Sequence, residues 1–304
     1  MRKLKLAAAG LAGTIARRLP FSWKTELFRI FANTIGVNRA TFAGHHGPFT
    51  APVNDRVIWP SYVAYGALNN GTSEFLNSVF KTSGGTMIDV GANVGMLCMP
   101  AAKAQPTLHV YAVEADPENF QCLQINALQS GVHNAILINR AAFSRNCRLE
   151  FEHSDDNPGD HRVRSGKKQD GKDFYHESSR AVISVEAATL DSLVPLDGLK
   201  HPIVLKADVQ GAEAEVFLGA AQLLEVVDIV ILEFWPYGLK RAGSDIDTFL
   251  KSISRFKFGA QLEVLNADTI KVKPIAEVVA ELREFYNQEA NFLHLDVLLS
   301  KAPL

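Results

Sequence analysis

From Thr86 onward, short apolar runs of strand character alternate with helical stretches, and no other feature limits the fold as much. The runs occupy 86–90, 108–114 ("LHVYAVE"), 135–139 ("AILIN"), 202–208 ("PIVLKAD") and 228–234 ("DIVILEF"); helical stretches at 95–104, 117–130, 211–224 and 245–256 separate most of them. Strands buried on both faces and joined through helices make a parallel sheet covered on each side. The expected class is therefore α/β. Two further apolar runs, "AQLEVLN" and "FLHLDVLLS", bracket a helical 275–288. Upstream, "WKTELFRIFANTIG" and "GTSEFLNSVFKTSGG" read as helices, the second capped by Thr72 or Ser73 and ended by Gly84-Gly85, and 47–60 reads as irregular or short-strand structure. A domain over 71–304 is expected, preceded by a helical or irregular extension over 1–70.

One segment interrupts the pattern. Residues 152–180 contain only Val163, Phe174 and Tyr175 as bulky apolar groups, so a long polar surface loop is expected there. Lys and Arg total 31 against 33 Asp and Glu, so bulk charge gives no support for nucleic acid as a partner. Cys98, Cys122 and Cys147 match neither a zinc spacing nor a disulfide framework and read as reduced thiols of a cytoplasmic protein. At the N-terminus Arg2, Lys3 and Lys5 precede a weakly apolar, alanine-rich run closed by Arg17 and Arg18. That run is shorter than the roughly 20 apolar residues that span a bilayer. Leu4, Leu11, Ile15 and Leu19 share one helix face, which leaves two readings: peripheral contact with an anionic membrane, or a helix packed on the domain.

The chemistry concentrates at strand ends. In "TMIDVGANVGMLCMP" a core run carries Asp89 and then turns through Gly91 and Gly95, a place where backbone can approach a ligand closely. A dinucleotide fingerprint needs glycines at 91, 93 and 96, but the chain has Asn93 and Met96, so the pyrophosphate rationale fails. Asp89 beside the turn favours a cationic or amine-bearing ligand. Glu114 ends the second run, where a carboxylate can accept hydrogen bonds from ribose hydroxyls. Asp116-Pro117 reads as a helix N-cap followed by proline in the first turn. Asp208 ends the fourth run and Glu233 falls near the end of the fifth, so acids from four runs gather at one sheet edge.

"IDVGANVG", "AVEADPENF", "KADVQGAE" and "VILEF", in this order, resemble the FkbM-type S-adenosylmethionine-dependent methyltransferases over roughly residues 70–235. The resemblance implies a Rossmann-like class I methyltransferase fold. Its sheet is mostly parallel and seven-stranded with the last strand antiparallel, a role that "FLHLDVLLS" suits. It implies S-adenosyl-L-methionine as cofactor and O-methylation of a small-molecule, sugar or glycan acceptor. Asp89, Gly91, Asn93 and Gly95 would hold the methionine part, Glu114 the ribose, and Ala115 and Asp116 would lie near adenine with Ala141-Ala142 as its wall. Asp208 would approach the cofactor's amino group or the acceptor, and Glu213 would order the adjacent turn; Asp208, Glu233 and Glu213 form the expected catalytic set. Two positions depart from the pattern. Gln210 stands where the family has a glutamate, and Pro100 falls inside the expected 95–104 helix, where it should kink the chain.

For methyl transfer to a hydroxyl, Asp208 is the first candidate base and Glu233 the second. The same two carboxylates are also suitable ligands for a divalent metal. His161, Tyr175 and Trp235 are acceptor-site candidates. A catalytically silent binding domain of the same fold and a nicotinamide-dependent oxidoreductase are the competing readings.

Overall fold

The structure is a computed structural model, and it describes residues 20–44, 47–65, 71–154, 157–164, 179–262, 270–288 and 293–303. The first elements are α1 (Phe21–Thr34), the antiparallel hairpin β1 (Arg39–Gly44) and β2 (Gly47–Pro52), α2 (Ile58–Tyr65) and α3 (Gly71–Phe80). Asn126 joins this hairpin to the rest of the chain: its side-chain oxygen accepts from Thr50 N at 2.6 Å, and its amide donates to Thr50 O and Val94 O, both at 2.8 Å. Phe42 stacks on Trp59 at 4.4 Å behind it.

The regular part follows as β3 (Gly85–Val90), α4 (Cys98–Ala104), β4 (Leu108–Val113), α5 (Pro117–Ser130) and β5 (Ala135–Ile138). A small unit then comprises β6 (Ala141–Ala142), β7 (Cys147–His153), a 3-10 turn at Pro158–Asp160, β8 (Arg162–Val163) and β9 (Ala181–Ala188). The chain continues through α6 (Leu190–Leu193), β10 (Ile203–Ala207), α7 (Glu213–Leu218), α8 (Leu223–Val226), β11 (Ile229–Phe234), α9 (Pro236–Ala242) and α10 (Ile246–Ile253). It closes with β12 (Phe258–Gln261), β13 (Lys273–Pro274), α11 (Ile275–Asn287) and β14 (Leu295–Ser300).

The main sheet runs β13-β12-β14-β11-β10-β3-β4-β5. From β5 to β11 all neighbours are parallel, and β14 enters antiparallel between β11 and β12. This is the Rossmann-like methyltransferase order, with a two-residue eighth strand, β13, added at the edge. Strand order reverses at β3, which lies between β4 and β10, and such a reversal opens a crevice at the strands' carboxyl ends. Alternate residues along the strands face opposite layers. Ile88, Val90, Leu205 and Leu232 pack on the side of Phe217 and Phe249, while Met87, Val110 and Ile231 pack on the side of Phe75, Met99 and Leu123.

Two expectations are corrected. The helix after the glycine turn begins at Cys98 rather than 95, so Pro100 sits in its first turn. Backbone N–H groups there lack intrahelical partners in any case, and no kink is required. Residues 152–180 are not one polar loop. Residues 155–156 and 165–178 lie outside the described residues, but β7 and β8 pair through Phe151–Val163 and Glu152–Arg162. Among the described residues, several charged side chains of this segment pair internally. Arg162 is fully buried, 3.1 Å from Asp160 and 3.7 Å from Glu152, and Arg241 of α9 reaches Glu152 at 3.8 Å. Arg180 also pairs with Asp160.

One close approach holds the turn after β10 against α9. Gly211 has φ +104°, and a Cβ there would lie 2.5 Å from the carbonyl carbon of Gly238. Gly211→Ala is therefore expected to lower unfolding stability by about 2 kcal/mol or more, measured by urea denaturation. Wild-type stability in that variant would show that the turn is loosely held.

Candidate active site at the switch point

At the end of β3 the chain turns at Gly91, whose φ of +73° favours glycine. A Cβ there would lie 2.0 Å from Asp208 O, so the β3 and β10 tips approach as closely as bare backbone permits. Gly91 N and Ala92 N both donate to Val113 O at 3.0 Å, which ties the turn to β4. Asn93 is also left-handed (φ +53°), and its N donates to Glu114 Oε2 at 2.7 Å. Asp116 N donates to Glu114 Oε1 at 2.8 Å. Burial pushes the Glu114 carboxyl up to about 7, against the pull of those two N–H groups. Each Glu114 oxygen keeps a lone pair for another donor.

The opposite wall follows β10. Asp89 and Lys206 are register partners on β3 and β10. The Lys206 ammonium lies 3.4 Å from Asp89 Oδ1 and 3.6 Å from Asp208 Oδ2, and it donates to Gly91 O at 3.2 Å. Burial alone would depress its pKa; the two carboxylates outweigh burial and raise it. Gln210 is left-handed (φ +56°), and its amide nitrogen donates to Asp208 Oδ1 at 2.9 Å and to Glu233 Oε2 at 3.0 Å. Burial, followed by the charges of Asp208, Glu213 and Asp296, lifts Glu233 well above the ordinary carboxylate range. Glu213 is fully buried beneath the turn, where Oε1 accepts from Val209 N at 3.0 Å and Gly211 N at 3.3 Å.

The remaining wall comes from Ala141-Ala142 and from the small unit, which contributes Phe151, Pro158, Gly159, His161 and Val163. Asn93 and Asn119 both donate side-chain N–H to Pro158 O, at 3.0 and 3.1 Å. The cleft measures about 530 Å³ including the part open to solvent. Behind His161, Asp116, His153 and His161 bring metal-ligating atoms within 4.8 Å of one another. His153 Nε2 meets Asp116 Oδ2 at 2.5 Å, and the two rings stack at 4.3 Å with an 11° interplanar angle. Nearly parallel rings aim their in-plane lone pairs along separate planes, so both do not converge on one ion. Asp116 also caps α5 through Glu118 N and Asn119 N.

Of the residues singled out from the sequence, Gly91, Asn93, Glu114, Ala115, Ala141, Ala142 and Asp208 line this cleft together. Asp89 does not: it is buried beneath Lys206. Gly95 lies against Leu123 and Met99. Asp116, Glu213 and Glu233 stand behind the wall as supports. His161 lines the cleft, Trp235 is buried with the Arg162 guanidinium 5.7 Å from its ring, and Tyr175 lies outside the described residues. Lys206 escaped the sequence reading, although a single lysine inside the apolar run "PIVLKAD" was the available signal.

Removing the lysine tests the charge balance. Lys206→Met leaves Asp89 buried without its cation and is expected to cost about 3 kcal/mol or more of stability. The double variant with Asp89→Asn is expected to recover most of it; two additive losses in urea melts would deny the coupling. A second test uses His161, whose ring burial holds at about 4, with Asp116 opposing that shift and His153 and Arg180 reinforcing it. The unfolded chain takes this proton near the ordinary imidazole value of 6.5, so the neutral ring contributes stability above about pH 6.5 that is lost as pH falls towards 4. The difference in urea midpoint between wild type and His161→Phe is expected to shrink over that window. A constant difference would contradict the burial effect.

A sequence profile described as "Methyltransferase FkbM domain" matches residues 89–258, more than half of the chain and all of the cleft's strand tips. The chain is 28% identical over 182 residues to a protein named hexuronic acid methyltransferase AglP from Haloferax volcanii. The match covers 59% of this chain and spans just under two thirds (66%) of that relative's length. Among solved structures, Pyrococcus horikoshii TYW2 in complex with MeSAdo overlaps at TM-score 0.43 and 11% identity, covering 92% of this chain and 84% of that one. A Klebsiella pneumoniae protein titled a putative O-methyltransferase overlaps at 0.41 and 12%, covering 76% and 80%. Overlaps this partial carry no functional weight. The strand order, the glycine turn and the profile match agree: this chain belongs to the FkbM methyltransferase family.

Proposed function

We propose that the protein moves the methyl group of S-adenosyl-L-methionine to a hydroxyl oxygen of a sugar, glycan or other small acceptor. The observation that carries this reading is the switch-point cleft in which Gly91, Glu114 and Asp208 meet. The donor set fits the cofactor's chemistry: a glycine turn with no room for a Cβ, a ribose-competent carboxylate with lone pairs to spare, and an aspartate facing the same space. The sugar class draws support from the hexuronic acid methyltransferase relative.

When bound, S-adenosylmethionine supplies an electrophilic methyl group on a sulfonium sulfur. Glu114 accepts from the ribose hydroxyls, and its two backbone donors keep it oriented. The Gly91 turn and Asn93 receive the methionine part, and Ala141 and Ala142 give a flat apolar wall for adenine. Asp208, whose side chain is 40% exposed, takes the acceptor's hydroxyl proton at Oδ2 while Gln210 holds Oδ1. Burial, followed by the charges of Asp208, Glu213 and Asp296, raises the pKa of the Glu233 carboxyl, and Glu233 does not line the cleft as Asp208 does. It acts with Gln210, Glu213 and Lys206 to position Asp208. Aligning the acceptor oxygen with the methyl group is the main task left to the chain.

Calorimetric titration with S-adenosylmethionine, S-adenosylhomocysteine and NAD is expected to show binding of the first two only. Glu114→Gln turns a donor towards Asn93 N or Asp116 N and is expected to weaken cofactor binding by about tenfold or more. Asp208→Asn is expected to leave that affinity within a few-fold and cut radiolabelled methyl transfer to uronic acid-containing glycans by about 100-fold. Undiminished transfer by Asp208→Asn would remove the base assignment, and binding of NAD in place of S-adenosylmethionine would overturn the reading.

A further inference from the structure

Helix α1 is built inside out. Its buried positions are Thr25, Arg29 and Ala32, whereas Trp23, Leu27, Ile30 and Phe31 form a continuous stripe on its outer side. Their exposures are 63, 48, 55 and 63%, and Ile35 just beyond the helix is 57% exposed. The polar inner side is not an accident of loose packing. Arg29 donates to Asp55 O at 3.2 Å and to Glu26 Oε2 at 2.5 Å, and Glu26 also faces Arg56 at 3.7 Å. The helix is therefore held by its charged side and by Phe28, whose ring lies 5.7 Å from Phe42 and 5.6 Å from Trp59, and it presents Trp23, Leu27, Ile30 and Phe31 outward. A stripe of this kind marks an interaction surface, because soluble chains seldom leave several large apolar groups exposed together.

The charge of the sequence that leads into the stripe selects the partner. The first 25 residues contain Arg2, Lys3, Lys5, Arg17, Arg18 and Lys24 and no acid, and the first acidic residue, Glu26, is already paired. A second copy of the chain carries the same uncompensated positive charge in its first 25 residues, whereas an anionic surface complements it. An anionic surface is attracted instead, and tryptophan and phenylalanine beside basic residues are suited to a lipid–water boundary. At 14 residues α1 is too short to span a bilayer, and no described helix is long and apolar enough to do so.

We propose that α1 docks in the plane of an anionic lipid surface, burying Trp23, Leu27, Ile30 and Phe31 among the headgroups. The proposal is independent of the methyl acceptor. It also places the helix close to the cleft. Asn33 at the end of α1 donates to Asn54 at 2.9 Å, and Asn54 lines an outer hollow with Pro158 and His161, two residues of the cleft wall.

Co-sedimentation of the full chain with vesicles tests this, using phosphatidylcholine alone or with about 30 mol% phosphatidylglycerol, at about 0.05 and 0.5 M salt. The bound fraction is expected to be about tenfold higher on the anionic vesicles and to fall at the higher salt. Trp23→Ser combined with Phe31→Ser, or separately Ile30→Asp, is expected to reduce binding about tenfold with an unchanged melting temperature, since all three side chains are exposed. Wild-type protein remaining in the supernatant with anionic vesicles overturns the proposal, as does full binding by both variants. A concentration-dependent dimer that the variants dissolve, without vesicle binding, assigns the stripe to a second copy and likewise overturns it.

Discussion

The site depends on one charge placed inside the sheet. Lys206 enters from β10 at the register position opposite Asp89, and both side chains lie in the low-dielectric space near Cys98. Neither would be tolerated alone, because an unpaired ion at that depth costs several kcal/mol. Together they allow a third contact, from the lysine to Gly91 O, which fixes the turn leaving β3, and a fourth to Asp208, which fixes the tip of β10. One ammonium thus sets the positions of the two strand tips that bound the crevice. It also changes the electrostatic character of the cleft: Asp89 is matched from within the protein, and Asp208 is the partly exposed carboxylate that faces the cleft.

Around that core the walls are stabilised by polar groups that have turned inward. Glu114 links the glycine turn to the start of α5 by accepting one N–H from each. Glu213 does the same beneath the turn after β10. Gln210 joins Asp208 to Glu233 from a left-handed backbone position, at the place where the family pattern has an acid. An amide there supplies a donor between two carboxylates, where a third carboxylate would add repulsion. The small unit made of β6 to β9 completes the cleft; it has its own apolar cluster around Phe143, Phe151 and Val185, and the buried Arg162, Glu152 and Arg241 tie it to α9.

Much of the scaffold was legible because strand and helix signals there are local. Helices 117–130 and 275–288 lie within a residue of α5 and α11, since a proline start, an N-cap aspartate and a regular apolar face act over a few neighbours. The strands β7 and β9 are not legible in the same way, although "CRLEFEH" and "AVISVEAA" both alternate. Charged residues on their outer faces and the long polar stretch between them concealed the pairing. Nothing short-range announced the inverted α1 either, because which side of an amphipathic helix is buried depends on Asp55 and Arg56, more than 20 residues away.

The order of runs and turns in the sequence by itself determined an α/β sheet with a switch point at the glycine bend and acids gathered at its carboxyl edge, because hydrophobic period and turn chemistry are properties of neighbouring residues. Only the tertiary structure decided which of those acids face the cleft and which serve as supports. That division follows from cross-strand register, which set Lys206 beside Asp89, and from the small unit's covering wall, and both are contacts between residues distant in the chain.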